Sequence, residues 1–278
     1  MSKYELAALD MDGTLLNSQK NITLSTIETI KKALKLNKYI VLSTGRALDE
    51  LRDYHQQLAD IPYGILASGA LIYDFKNNKI IHHETFSASQ INKIFEAIDQ
   101  ENIMIHFFSN GRSIVSKNDI SNMDKYQMSI YQPMFKRVAT TVDDIIDYAK
   151  NHPIEKINLY HQNEAARAET FEKLKDLSLS FAFAETTSLE ISPSNVTKGK
   201  GLIKLCDFLD IELSKTIAVG DADNDLDVLK TAGLAVAMKN ANDNVKKICD
   251  VIVADNDHDG CAQAIDEFLL EEKYKNKE

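Results

Sequence analysis

The sequence predicts an α/β fold: a Rossmann-like parallel sheet with helices on both faces, interrupted by an inserted α+β module. Three observations carry this. Short apolar runs alternate with amphipathic stretches over residues 1–84 and again over 188–278, the rhythm of strands crossing over through helices. Three of the runs end directly on polar loops, at Asp10, at Thr44 and at Gly220-Asp221. Open parallel sheets bind ligands at such carboxyl ends. The middle, residues 85–187, differs in character and carries an Asn110-Gly111 hairpin signal.

Each element follows from its own pattern. Tyr4–Leu9 reads as a buried strand. Ser25-x-x-Glu28 has the form of a capping box, opening a helix with Ile27, Ile30 and Leu34 on one face. Tyr39–Ser43 is a second strand, and Thr44-Gly45-Arg46 leads into a helix with Leu48, Leu51 and Leu58 inward. Tyr63–Ala67 is a third strand. Lys76-Asn77-Asn78 turns a hairpin between Leu71–Phe75 and Lys79–His83. In the middle, a helix near Gln90–Gln100 precedes strand Ile103–Phe108, followed by helices near 142–150 and 164–177 and strands at 157–160 and 179–184. The last part resumes the alternation, with helix Lys200–Leu209, strand Thr216–Val219, helix Asp225–Ala232 and strand Leu234–Met238. Helix Asn242–Ile248, strand Val251–Val253 and helix Gln263–Leu270 complete it, before a charged tail, Glu271–Glu278. The two crossings, near 84–87 and 186–189, are the expected hinges of an inserted domain spanning 85–187.

Composition sets the outer limits. The chain has 278 residues, 44% of them hydrophobic, which is enough for a sizeable core. Its net charge is −10 and no basic run occurs, which argues against nucleic acid as a partner. No stretch approaches the ~18 apolar residues of a membrane span, and no secretory signal opens the sequence. Cys206, Cys249 and Cys261 lack metal-type spacing. A sparse, odd set of cysteines fits reduced thiols and a cytoplasmic setting.

The chemistry starts at Asp10-Met11-Asp12-Gly13-Thr14. Two carboxylates one residue apart repel unless a cation holds them. The arrangement suits Mg²⁺ with one carboxylate attacking an electron-poor centre such as phosphorus. A plain polar turn is the simpler reading. A calcium loop fails, because Leu15, Leu16 and Asn17 follow where further ligands belong. The other strand ends supply what a phosphoryl site needs. Asp221 can join Asp10 as an oxygen ligand, and Asp225 can support it. Thr44 offers a hydroxyl and Gly45 an accessible N–H. Lys198, or equally Lys200, can neutralise phosphate and carboxylates. The seven histidines lie outside every motif, with His106 and His161 left as candidates to face a pocket of the inserted module.

With these clusters in place, the chain resembles the haloacid dehalogenase-like superfamily of phosphatases, and within it the Cof-type group with a C2 cap. The resemblance rests on Asp10-Met11-Asp12-Gly13-Thr14-Leu15, Ser43-Thr44-Gly45-Arg46, Lys198-Gly199 and Gly220-Asp221-x-x-Asn224-Asp225, in that order. Ala235–Ala241 and Asp259-Gly260 are similar as well. It implies that Asp10 is the nucleophile, forming an aspartyl-phosphate, and that Asp12 is the acid/base. It implies Mg²⁺ on Asp10, Asp12 (by its backbone carbonyl) and Asp221, with Asp225 in support. Met11, Thr44, Gly45, Lys198 and Asn224 would hold the phosphoryl group. Three positions depart from the usual pattern: Ser68 stands where Asn is common, Val228 where Met is, and Lys239 where Gly is. The implied function is hydrolysis of a small phosphomonoester, a sugar phosphate or a phosphorylated cofactor. Phosphomutase-type transfer and a non-catalytic binding module are the alternatives. Substrate identity and oligomeric state are not encoded in these motifs.

Overall fold

Strand β1 is Leu6–Leu9 and every residue of it is buried, as a strand covered on both faces must be. It pairs in parallel with β2 (Tyr39–Ser43), which pairs in parallel with β3 (Tyr63–Leu66). The hairpin of β4 (Leu71–Asp74) and β5 (Lys79–His83) closes that edge, β4 running antiparallel to β3. Asn78 takes φ 51 in its turn, a left-handed conformation Asn tolerates. The computed structural model describes residues 2–98, 101–183 and 185–271. The charged tail beyond Glu271 lies outside them.

Helix Leu24–Lys35 is capped two residues earlier than the expected Ser25 box. Thr23 is extended, and its hydroxyl accepts the Thr26 N–H. The buried face is therefore Thr26, Thr29, Ile30 and Ala33. The stretch after Gly45 is not one helix but a 3₁₀ segment, Asp49–Tyr54, followed by the short helix His55–Leu58.

The described residues form two compact units: those up to Gly45, Tyr54–His82 and those from Thr197 onward make the first, Arg46–Asp53 and His83–Val196 the second. The second holds strands β6 (Ile103–Ser109), β7 (Arg112–Ser116), β8 (Thr140–Val142), β9 (Lys156–His161), β10 (Leu179–Phe183) and β11 (Ser188–Pro193). Their order is β10-β11-β9-β6-β7-β8. The β6–β7 turn is Asn110-Gly111, with φ 52 and 76, as the sequence signal requires. Alternation along β6 sorts the two faces. Ile103, Ile105 and Phe107 pack with Ile91, Ile94 and Phe95 of helix Ala88–Ala97, while Met104 packs with Met123, Tyr126 and Phe135. Three stretches placed with the sheet domain on sequence, Arg46–Asp53, residues 83–84 and residues 188–196, belong instead with this unit. The reason is hydrogen bonding: β11 pairs with both β10 and β9, and Asp49 donates its N–H to Gly111 O at 3.1 Å.

His106 and His161 are interior side chains of this unit. His106 contacts the Ser113 hydroxyl at 2.7 Å and the Tyr160 hydroxyl at 3.2 Å. Burial and the Lys156 charge push its pKa down to about 3, so it is neutral. His161 bridges Thr187 O and the Thr170 hydroxyl at 2.9 and 3.0 Å. Glu50 is buried in the same unit, with its Oε1 4.0 Å from His106. Burial pushes its pKa up to about 7, against the Ala47 N–H bond and the Arg46 and Lys156 charges. A carboxyl raised from 4.5 in this way contributes stability that is full below the unfolded value and lost as pH rises through 7. Glu50→Gln is therefore expected to stabilise the fold at about pH 8 by up to about 3 kcal/mol, seen as a raised melting temperature, and barely at about pH 4. Equal shifts at both pH values in thermal scans would contradict the assignment.

The chain returns to the first sheet as β12 (Thr216–Gly220), β13 (Leu234–Met238) and β14 (Val251–Val253), all parallel. The sheet order is β14-β13-β12-β1-β2-β3-β4-β5. Because β1 lies between β2 and β12, strand succession reverses beside it, and the loops after β1 and β12 open into one crevice. No helix among the described residues is long and apolar enough to cross a membrane.

Candidate active site

Asp10 is the first residue after β1, and its N–H donates to Val219 O of β12 at 3.0 Å. The chain then turns back at once: Leu15 N–H reaches Asp10 O at 3.1 Å and Leu16 N–H reaches Met11 O at 2.8 Å. One tight turn thus presents both Asp10 and Asp12. Gly13 is required twice over. Its φ is +84, and a Cβ there would lie 2.4 Å from Asp221 Oδ2. That close approach brings Asp221 against the turn, where the Thr14 hydroxyl donates to its Oδ1 at 2.7 Å. Asn240 donates its amide to Gly13 O at 2.7 Å and steadies the same turn.

Lys198 arrives from another direction. It opens helix Lys198–Leu209, whose cap is Thr197 accepting the Lys200 N–H at 3.1 Å. The Ala67–Gly69 turn seats this cap. A Cβ on Gly69, φ +102, would stand 2.0 Å from Thr197 O. Lys198 is 2% exposed, and its Nζ donates to Asp10 Oδ1 at 2.6 Å and Asp225 Oδ1 at 2.7 Å. The other oxygen of Asp225 accepts the N–H groups of Asp221 and Ala222 at 3.1 and 3.2 Å. Asp225 therefore shapes the β12 turn as well as pairing with the lysine. Lys200, the alternative on sequence, is exposed.

Carboxylate oxygens of Asp10, Asp221 and Asp225 lie within 4.8 Å of one another. Burial, then the Asp225 charge, push the Asp10 carboxyl up to about 8 despite Lys198. Burial raises Asp221 to about 6, opposed by its bond from Thr14. Burial alone would depress Lys198, but Asp10 and Asp225 outweigh it and hold the ammonium above the ordinary lysine value. One buried cation is thus too little for the acids around it. The donor set, hard carboxylate oxygens with one open to a crevice, suits a small divalent cation such as Mg²⁺.

Met11 is fully buried. The Asp12 carboxylate is half-exposed and stands apart from the three-acid cluster, with Lys20 Nζ 2.8 Å from its Oδ1. Thr44 is buried at the end of β2. Its N–H donates to Ile65 O at 2.8 Å, and its carbonyl accepts the Ser68 N–H at 3.0 Å. Ser68 thus tethers this loop through its backbone, at φ 58. Asn224 is exposed in the turn Asp223–Asp225. Thr14, Lys20 and Asn240 are site residues that the motif reading did not assign a role. Thr14 and Asn240 sat inside quoted runs, whereas Lys20 had no signal beyond its charge.

The sequence profile described as haloacid dehalogenase-like hydrolase matches residues 7–265. The chain is 27% identical to the phosphatase YwpJ of Bacillus subtilis, covering 95% of this chain and 100% of that protein. It is 28% identical to the 5-amino-6-(5-phospho-D-ribitylamino)uracil phosphatase YcsE of the same organism, over 96% of each. In three dimensions it is similar to a haloacid dehalogenase-like hydrolase from Bacteroides thetaiotaomicron, with a TM-score of 0.82 and 24% identity. That match covers 94% of this chain and 98% of the other.

Proposed function

The chain belongs to the haloacid dehalogenase-like hydrolases and is a phosphomonoester hydrolase, and we propose that it works through an aspartyl-phosphate on Asp10 with the help of Mg²⁺. The observation that carries this reading is Lys198 held between Asp10 and Asp225, with Asp221 in the same cluster. The lysine aims Asp10 and works against burial and the Asp225 charge to favour its ionised form, the form a nucleophilic carboxylate needs.

In the first step, an Asp10 oxygen bonds to phosphorus as the bond to the alcohol oxygen breaks, and Asp12 gives that oxygen its proton. In the second, water bonds to phosphorus, Asp12 takes its proton, and the bond to Asp10 breaks to release phosphate. Asp12 suits both halves because it shares the turn with Asp10 yet remains open to solvent. Lys198, the Met11 and Gly45 N–H groups, the Thr44 hydroxyl and Asn224 hold the phosphoryl oxygens. Asp10, the Asp12 carbonyl and Asp221 would hold Mg²⁺, with Asp225 behind them, and the ion would supply Lewis-acid stabilisation of charge on the phosphoryl group.

The substrate in this proposal is a small phosphorylated metabolite, a sugar phosphate or a phosphorylated cofactor. The second unit serves as the C2-type cap that selects it, and the setting is cytoplasmic, in keeping with three free thiols. Hydrolysis of p-nitrophenyl phosphate is expected with Mg²⁺ and is expected to fall to background in EDTA, returning on Mg²⁺ addition. Full activity in EDTA would mean that hydrolysis needs no metal ion. With a hexose phosphate, free phosphate is the expected product; an isomeric sugar phosphate would mean transfer rather than hydrolysis.

A further inference from the structure

Nothing in the mechanism above uses Lys20. Its ammonium donates to Asp12 Oδ1 at 2.8 Å, and the two side chains are 61% and 42% exposed. An exposed pair of this kind adds little to stability. The backbone around it is nevertheless built to a pattern. Lys20 sits at φ 58, a left-handed conformation that Gly or Asn takes more easily than Lys. Its N–H donates to Asn17 O at 2.9 Å, and Asn17 N–H donates to Asn21 O at 2.9 Å. The Asn17 side-chain oxygen collects the N–H groups of Gln19 and Asn21 at 3.1 and 2.9 Å. Ser18 is tied down by Asp257 through both its N–H, at 2.8 Å, and its hydroxyl. The turn is anchored at its start and closed on itself, and it delivers an ammonium to the acid/base carboxylate.

We propose that Lys20 is a positioning residue for Asp12 in the second half-reaction, holding Oδ1 so that Oδ2 faces the attacking water. The proposal rests on the functional reading above. A carboxylate turns readily about its last bond, so an oxygen that must accept a proton in one direction needs its partner oxygen pinned. A cation pins the anion more strongly than the neutral acid, and Asp12 is anionic once it has given its proton to the leaving alcohol. The water oxygen bonds to phosphorus while the bond from phosphorus to Asp10 breaks. The water proton passes to Oδ2 of Asp12. The products are inorganic phosphate, the Asp10 carboxylate and a protonated Asp12 ready for the next substrate.

The test is steady-state and acid-quench kinetics with p-nitrophenyl phosphate and Mg²⁺, whose leaving group needs little help from an acid. Lys20→Gln is expected to lower kcat about tenfold, a part of the roughly 10²–10⁴-fold that a well-placed base contributes. KM should fall with it and kcat/KM should hold, because kcat/KM reports only formation of the phosphoenzyme. The acid-quenched phosphoenzyme fraction should rise. Lys20→Gly, which suits the left-handed turn and removes the cation, should behave in the same way, and Lys20→Arg should restore most of kcat. An unchanged kcat in Lys20→Gln, or a fall in kcat/KM without phosphoenzyme accumulation, overturns the role of Lys20 while leaving the phosphatase reading intact. A wild type that neither hydrolyses the substrate nor becomes labelled overturns both.

Discussion

Asp10→Asn is expected to reduce phosphatase turnover by roughly 10⁴-fold or more, the order lost when a covalent nucleophile is removed and the other groups remain. That corresponds to about 5 kcal/mol of barrier. The fold should survive. An amide oxygen still accepts from Lys198 where Asp10 Oδ1 does now, and the substitution removes a carboxyl that burial has pushed up to about 8. The sign follows from that shift. A raised carboxyl contributes stability that is full below its unfolded value of 3.8 and lost as pH rises through 8. The metal-free variant should therefore match the wild type at acid pH and equal or exceed it in melting temperature at alkaline pH. Loss of activity together with a collapsed melting temperature would show that Asp10 is structural first.

Lys198→Met should be damaging in both respects. The side chain is the buried cation shared by Asp10 and Asp225, and its removal leaves two carboxylates buried against each other. Breaking such a pair from one side costs roughly 3–5 kcal/mol. Activity should fall by roughly 10³-fold, since a preorganised charge on the phosphoryl group is lost as well. The stability loss should be pH-dependent in one direction. As pH falls, Asp10 protonates and its repulsion with Asp225 vanishes, so wild-type and variant curves should converge toward acid pH in urea titrations. A constant gap across pH would mean that Lys198 acts through packing and not through its charge.

Much of this molecule is legible in its sequence because the relevant signals are local. Strand β1 is a run of apolar residues ending on Asp10, and a parallel sheet needs only that pattern repeated. The Asn110-Gly111 turn is written in two residues. Asp10, Asp221 and Asp225 fall together because strand ends in such a sheet share one edge. What escaped was set by longer-range geometry. Thr23 rather than Ser25 caps its helix, because the hydroxyl that wins is the one whose backbone is already extended. Strand β11 belongs with β9 and β10, which no local pattern at Thr186–Leu189 announces. Ser113 and Tyr160 satisfy His106 from other strands, so its isolation in the sequence carried no information. The choice between Lys198 and Lys200 is decided by burial. Lys20 needed the folded turn, since its link to Asp12 spans eight positions and follows no helix or strand period.

The proposed chemistry passes through a covalent bond between phosphorus and Asp10. The most direct measurement is peptide mass spectrometry after acid quench of enzyme mixed with p-nitrophenyl phosphate and Mg²⁺, using Asp12→Asn to slow release of the intermediate. One phosphoryl group is expected on the peptide that contains Asp10, and none when Asp10 is replaced by Asn. A phosphoryl group on another residue, or continued turnover with no labelled peptide, would contradict it.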